Sequence, residues 1–348
     1  MTEPKVLEVA DLTVEFPTED GVVRAVRGVS WTLGAGETLG IVGESGAGKS
    51  VTSLAVMGLL PAAARVRGSV RFAGRELLGL SEEALSDVRG QGISMIFQDP
   101  MTSLNPVYTA GHQIIETLRA HRRGMSRQAA RERAVELLDI VGIPSPAQRV
   151  DSYPHELSGG MRQRIVIAIA IANDPEVIIA DEPTTALDVT VQAQVLEALE
   201  RATDETGAAL LLITHDLGVI AGHADRVGIM YAGKLVETGT VEDIFYTPRM
   251  PYTLGLLGSL PRMDRPEGRL TPIAGSPPSL LNLPPGCPFT PRCPLAADVC
   301  DATEPPLIGT GRPGHDAACH FHDRLVDAAA GEVFATTSAD AGGEGSAP

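Results

Sequence analysis

From Val6 to Phe16 apolar and polar side chains alternate with the two-residue period of a half-buried strand, and Val22 to Leu33 carries two further strands broken near Gly28. The opening of the chain is therefore expected to form an antiparallel sheet. Leu39 to Val42 is a short, uniformly apolar run that leads into the glycine-rich segment Gly43 to Ser50, after which Val51 to Leu60 has helical character. Strand, glycine loop and helix in that order predict an α/β core that binds phosphate. Arg127 to Val141 has helical periodicity, with Ser126 placed to cap it, and further helices are expected around it between Met101 and Glu156. Val177 to Ala180 and Ala209 to Ile213 are nearly pure apolar runs, as in parallel strands covered on both faces, and Val189 to Thr203 between them suits a crossover helix.

After Pro248 the texture changes. Pro261, Pro266, Pro272, Pro277, Pro278, Pro284 and Pro285 crowd a stretch that regular long elements cannot occupy, and a domain boundary is expected near residue 260. The predicted organisation is a large unit over 1–260 with a helical insertion at about 99–160, a small extension over 261–325, and a disordered tail over 326–348 rich in Ala, Gly, Ser and acidic groups. No internal repeat is present.

Composition narrows the class. Hydrophobic residues at 43% and charged residues at 21% exclude disorder of the whole 348-residue chain. A formal charge of -16 sets a repulsive mean field against phosphate backbones, so nucleic acid is not the expected partner. No apolar run reaches the roughly 20 residues that span a bilayer, and the first residues lack the basic and apolar regions of a signal peptide. The expectation is a cytosolic chain whose membrane contact comes through a partner.

Gly43-Glu44-Ser45-Gly46-Ala47-Gly48-Lys49-Ser50, continuing into Val51, fits the phosphate-loop pattern, in which backbone N–H groups wrap phosphates at a helix N-terminus. Lys49 would reach the β and γ phosphates and Ser50 would ligate Mg²⁺. Past the apolar strand, Asp181 can hold Mg²⁺ through water while Glu182 orients or deprotonates an attacking water. Taken singly, the loop also reads as a turn before a helix, and the carboxylates as a solvated strand end. Leu157-Ser158-Gly159-Gly160 opens a helix from Gln163 to Ala172, either as simple capping or as an anion site for a γ-phosphate.

With this last segment the chain resembles the ATP-binding cassette family, from residue 5 to about 260, with the family's motifs in order: Gln98 in Ile96-Phe97-Gln98, Asp188 in Thr185-Ala186-Leu187-Asp188, and His215 in Ile213-Thr214-His215-Asp216. The resemblance implies a P-loop NTPase with a RecA-like parallel sheet, an antiparallel β subdomain and a helical subdomain. It implies that ATP and Mg²⁺ are bound and ATP hydrolysed, with Lys49, Gln98, Glu182 and His215 as the catalytic set and Ser50, Gln98 and Asp181 around the metal. It also implies that Ser158, Gly159 and Gly160 meet ATP held by a second cassette and that Asp188 communicates across that dimer. Phe16 stands where the family stacks an aromatic on adenine, and serves equally as a core residue of the first hairpin.

Thr247-Pro-Arg-Met-Pro251-Tyr252-Thr253, the Met101-Thr-Ser-Leu-Asn105-Pro106 segment, and Gly286-Cys287 through Cys300 resemble the ATP-binding subunits of oligopeptide and dipeptide permeases. That resemblance implies peptide import at the cytoplasmic face of the membrane, with a second ATPase as heterodimer partner, two transmembrane permease subunits and an extracytoplasmic peptide-binding protein. Nickel import, a cassette ATPase outside transport, and a regulatory module that binds ATP without turnover are the alternatives; Glu182 argues against the last. Cys287, Cys293, Cys300 and Cys319, the chain's four cysteines, are expected not to form disulfides in a cytosolic ATPase. Their spacing leaves zinc, an iron–sulfur cluster and free thiols open, although the close Cys pairs of structural zinc are missing. Some members of the resembled subfamily carry a [4Fe-4S] cluster at cysteines so arranged, and the resemblance implies one here.

Overall fold

The computed structural model describes residues 5–98, 103–185, 187–260, 272–326 and 333–334. Strands β1 (Lys5–Thr18) and β2 (Gly21–Gly34) form the expected antiparallel hairpin, extended on the other side of β1 by β4 (Arg65–Phe72) and β5 (Arg75–Glu76). The break predicted near Gly28 is a bulge instead. Leu12 pairs with Val29 and Thr13 with Arg27, so Gly28 is the unpaired extra residue, and its φ of 83° is one glycine adopts without strain.

The central sheet has the order β11-β12-β10-β9-β3-β8-β7-β6. Its middle is parallel: β6 (Ile93–Ile96), β7 (Val177–Asp181), β8 (Ala209–Thr214), β3 (Thr38–Val42) and β9 (Arg226–Tyr231) run in one direction. In β7, Val177 and Ile179 enter a core shared with the antiparallel sheet, whereas Ile178 and Ala180 enter a second core shared with the helices. Both faces are therefore covered, which is why the run has no polar interruption. Because β3, β8, β7 and β6 are successive neighbours, the segments leaving their carboxyl ends converge along one edge of the sheet.

The helical layer contains α3 (Ala110–His121), α4 (Arg127–Ile140), α5 (Pro146–Arg149), α6 (Gly159–Ala170) and α7 (Val189–Thr206), following α1 (Lys49–Val56) and α2 (Glu82–Val88). The predicted cap of α4 is present: Ser126 Oγ accepts from the Ala129 N–H at 3.1 Å. Ala130, Ala134, Leu137 and Leu138 of α4 are buried against Ile114 and Leu118 of α3 and the inner face of α6. Helix α6 starts four residues before the expected Gln163, because Ser158 caps it and Gly160 lets it run close to α7; a Cβ there would stand 2.4 Å from Val191.

Beyond α8 (Leu217–His223), strand β10 (Lys234–Thr240) turns back antiparallel to β9, and α9 (Val241–Tyr246) and α10 (Pro251–Gly258) follow. The cysteine-bearing part then returns to the same sheet: after α11 (Asp298–Ala302), β12 (Asp316–Ala317) pairs with β10, and β11 (Ile308–Gly309) pairs with β12. His315, fully buried, lies 2.8 Å from the equally buried Glu237 carboxylate, which also accepts the N–H groups of Arg249 and Met250. Phe289 and Tyr252 bury their rings against Tyr231 at centroid distances of 5.4 and 4.5 Å. The expected boundary near residue 260 abuts residues 261–271, and most of the expected tail lies at 327–332 and 335–348; both fall outside the described residues.

Candidate active site

The loop from Gly43 to Gly48 joins β3 to α1 and is shaped by close backbone approach. A Cβ on Gly43 would lie 2.2 Å from the Met230 carbonyl, and one on Gly48 would lie 2.4 Å from the Ala25 carbonyl. Gly46 and Gly48 hold φ values of 80° and 104°, in the region that favours glycine. Gly48 occupies the N-cap of α1 without a side-chain cap, so the helix presents its first N–H groups to whatever sits in the loop.

Lys49 folds back beneath the loop. Its Nζ donates to the carbonyls of Gly43 at 2.7 Å and Glu44 at 3.2 Å, and lies 3.6 Å from Glu182. Burial lowers the Lys49 pKa, opposed by Glu182 and Asp181. Ser50 Oγ donates to Asp181 at 3.0 Å. Burial raises the Asp181 pKa, and the Glu182 charge adds to this, while the Ser50 hydroxyl and Lys49 work the other way. A hydroxyl beside a buried carboxylate whose charge needs support is a donor set that fits a divalent cation accompanying phosphates.

Glu182 is the centre of the constellation. Its φ of 49° places it in the left-handed region just past β7, and its carboxylate accepts from Thr185 Oγ1 at 2.9 Å and Gln98 Nε2 at 3.1 Å, with His215 Nδ1 at 3.3 Å. Burial pushes its pKa up, yet the Thr185 hydrogen bond and the nearby Lys49 and His215 outweigh this and hold it below the ordinary carboxylate value. Glu182 is thus kept ionised, as a group that orients or deprotonates water must be.

Phe16, Val23, Glu44, Ser45, Gly46, Ala47, Gly48, Lys49, Ser50, Val51, Gln98, Glu182 and His215 share one open cavity of about 740 Å³, a size suited to a nucleotide. Phe16 lines this cavity and packs against the core under the hairpin. Ser158, Gly159, Gly160 and Asp188 are not among the residues lining the cavity. They sit instead at the starts of α6 and α7, with Ser158 and Asp188 exposed and Gly160 buried against Val191; Ser158 accepts from Met161 N–H at 3.3 Å and Asp188 from Val191 N–H at 3.0 Å.

Residues without an expected role join the site. Thr185 belongs to a segment singled out for Asp188 and turns out to hold Glu182. From the C-terminal part, Leu256 and Leu280 line the cavity, Tyr252 Oη accepts the Glu44 N–H at 2.9 Å, and Arg292 makes a paired hydrogen bond to the Glu44 carboxylate at 2.7 and 2.8 Å. Nothing in local periodicity signals contacts separated by more than 200 positions.

The expected [4Fe-4S] cluster at Cys287, Cys293, Cys300 and Cys319 is not supported. Among the described residues, which include all four, no group of three or more Cys, His, Asp or Glu is disposed to hold a metal ion. The thiols border a narrow cleft of about 20 Å³ together with Phe289, Leu295, Pro305 and Phe321. Such a space admits on the order of one water. Burial raises the pKa of Cys287, that of Cys293 to about 12 and that of Cys319 to about 11, so in the absence of a metal ion these groups stand as protonated thiols. At pH 8, alkylation of Cys293 and Cys319 in the native chain is expected to be on the order of a hundredfold slower than in urea, because so little thiolate is present. Peptide mapping after timed iodoacetamide treatment measures this; equal rates in the two states would contradict it.

A family model described as ABC transporter matches residues 26–185, and one described as the oligopeptide/dipeptide transporter C-terminal region matches residues 236–300. The dipeptide transport ATP-binding protein DppD of Bacillus subtilis is 55% identical over 325 residues, covering 93% of this chain and 96% of that protein. The oligopeptide transport ATP-binding protein OppD of Mycobacterium tuberculosis is 56% identical over 329 residues, or 94% of this chain. The chain spans about half the length of that mycobacterial relative, 54%. Among solved structures, a dimeric ATP-binding cassette in a post-hydrolysis state, bound to ADP and Pi, superposes with a TM-score of 0.60 at 27% identity, covering 68% of this chain and 98% of that one. The protein cbiO1 from Clostridium perfringens, part of an ABC transporter complex, gives 0.61 at 25% identity, covering 76% and 97%.

Proposed function

Because the chain belongs to the family of oligopeptide and dipeptide transport ATP-binding proteins within the ABC transporters, we propose that it binds Mg-ATP and hydrolyses it to drive peptide uptake. The observation that carries the reading is Glu182, held by Thr185 and Gln98 within reach of Lys49 and His215 at one edge of a nucleotide-sized cavity. In this reading the loop N–H groups and Lys49 bind the phosphates, Ser50 and Asp181 receive the Mg²⁺ of the substrate, and Glu182 takes the proton of the attacking water. Gln98 and His215 keep that carboxylate and water in line, and Phe16 meets the adenine.

Partner contacts follow from what the cavity lacks. Ser158, Gly159 and Gly160 begin a capped helix outside the cavity of the chain's own phosphate loop, with Ser158 exposed, suited to the γ-phosphate of ATP on a second cassette. A heterodimer with a related ATPase, with Asp188 near the seam, is the assembly proposed. Two permease subunits would dock on exposed apolar side chains such as Phe97, next to Gln98, and Val107 and Tyr108. No helix among the described residues is long and apolar enough to cross a membrane, so attachment to the cytoplasmic face would come through those subunits. A peptide-binding protein would deliver cargo outside.

The test is uptake of a labelled dipeptide into cells lacking the gene for this chain, compared with its reintroduction. Restoration of ATP-dependent peptide uptake is expected; restored nickel uptake without peptide uptake would transfer the reading to the metal-importing alternative.

A further inference from the structure

Glu44, the second residue of the phosphate loop, is held from outside the loop. The Arg292 guanidinium, buried except for 5% of its side chain, faces the Glu44 carboxylate with both terminal nitrogens, at 2.7 and 2.8 Å. One of those nitrogens also reaches Tyr231 Oη at 3.3 Å, and Nε donates to the Ala274 carbonyl at 3.1 Å. The guanidinium lies 5.9 Å from the Tyr231 ring centroid and 5.8 Å from that of Phe289, both deep in the core. Its position is therefore fixed by packing before Glu44 is considered.

What Arg292 holds, Lys49 depends on. The Glu44 backbone uses both its groups: the N–H donates to Tyr252 Oη and the carbonyl accepts from Lys49 Nζ. A shift of the Glu44 side chain would carry its carbonyl with it and loosen the seat of the ammonium that is to meet the phosphates. The Ala274 contact anchors a second piece of the pocket, because Ala274 lies six residues before Leu280, whose carbonyl accepts the Arg24 N–H of β2 at 3.3 Å and which lines the cavity.

We propose that Arg292 is a positioning residue of the nucleotide site, acting through Glu44 to set the phosphate loop and through Ala274 to seat the Leu280 wall of the pocket. The inference rests on the ATP-binding reading given above. The C-terminal part thereby becomes a component of nucleotide binding.

The test is titration of the full chain with a fluorescent ATP analogue, for the parent, Arg292→Gln, Arg292→Lys, Glu44→Gln and the double variant Glu44→Gln/Arg292→Gln. Loss of a paired, charge-assisted hydrogen bond is expected to raise Kd about tenfold in Arg292→Gln and in Glu44→Gln. The double variant should be no weaker than either single one, since both break the same link, and Arg292→Lys should recover part of the loss. Glu44→Gln leaves the stack of Arg292 on Tyr231 and Phe289 in place, so it reports on the link even if Arg292→Gln fails to fold. Affinities of both single variants within twofold of the parent, or losses that multiply in the double variant, would overturn the proposal while leaving ATP binding intact. A parent chain that does not bind the analogue would overturn the ATP reading and this inference with it.

Discussion

Glu182→Gln is expected to lower ATP turnover by about a thousandfold while nucleotide binding persists. The amide keeps the size of the carboxylate and can still accept from Thr185, but it cannot take a proton from water. Removing the charge also releases Lys49, which lies 3.6 Å away, to pair more fully with phosphate, so nucleotide affinity should hold or rise. The folded-state pKa of Glu182 is depressed, so the group remains ionised below the ordinary value of 4.5, and the stability it contributes is lost only as the pH falls through that lowered value. An acid limb of turnover near neutrality should therefore come from another group. Phosphate release by the chain assembled with the proposed second cassette is the measurement; turnover in the variant above a tenth of the parent's would remove Glu182 from the role of base.

Lys49→Ala should weaken ATP binding by about a hundredfold or more, because a buried charge-assisted contact to the phosphates is lost together with the link to the loop. Lys49 is 4% exposed, and its ammonium bridges the carbonyls of Gly43 and Glu44 to the Glu182 carboxylate. Its loss leaves Glu182 without the ammonium 3.6 Å away, in a place where the added negative charge of triphosphate is then repelled. Calorimetric titration with ATP on the nucleotide-free chain reads the effect. Affinity unchanged in this variant would mean that the loop does not cradle phosphate.

These effects could be framed from the sequence because the elements that carry them are local. Gly43 to Ser50 lies between a strand and a helix whose periods announce them, and Asp181 and Glu182 close an apolar run that needs cover on both faces. The order of β3, β8, β7 and β6 then brings four separate chain segments to one edge. Gly28 misled the reading, since a glycine that interrupts a pattern marks a strand break or a bulge alike, and only the pairing across to Leu12 and Thr13 separates the two.

The cysteines misled it further. Proximity along the chain and membership of a resembled subfamily suggested ligands, but ligation depends on how thiols face one another and on whether they ionise. Burial beside Phe289, Leu295 and Phe321 is invisible in spacing. The Arg292 to Glu44 contact was beyond reach for a different reason: it joins positions 248 residues apart, and nothing local to Arg292 or to the phosphate loop points to the other.

The short pair β11 and β12 bears on how this chain could have been assembled from parts. Only two residues of each are paired, yet they cover the flank of β10, and a chain cut at the change of composition would leave that flank with open N–H and C=O groups beside the uncovered rings of Tyr231 and Tyr252. Such a border invites strand addition from any neighbouring molecule. The proline-rich part thus works as a hem on the sheet, and a shortened cassette would survive only by evolving a new border of its own.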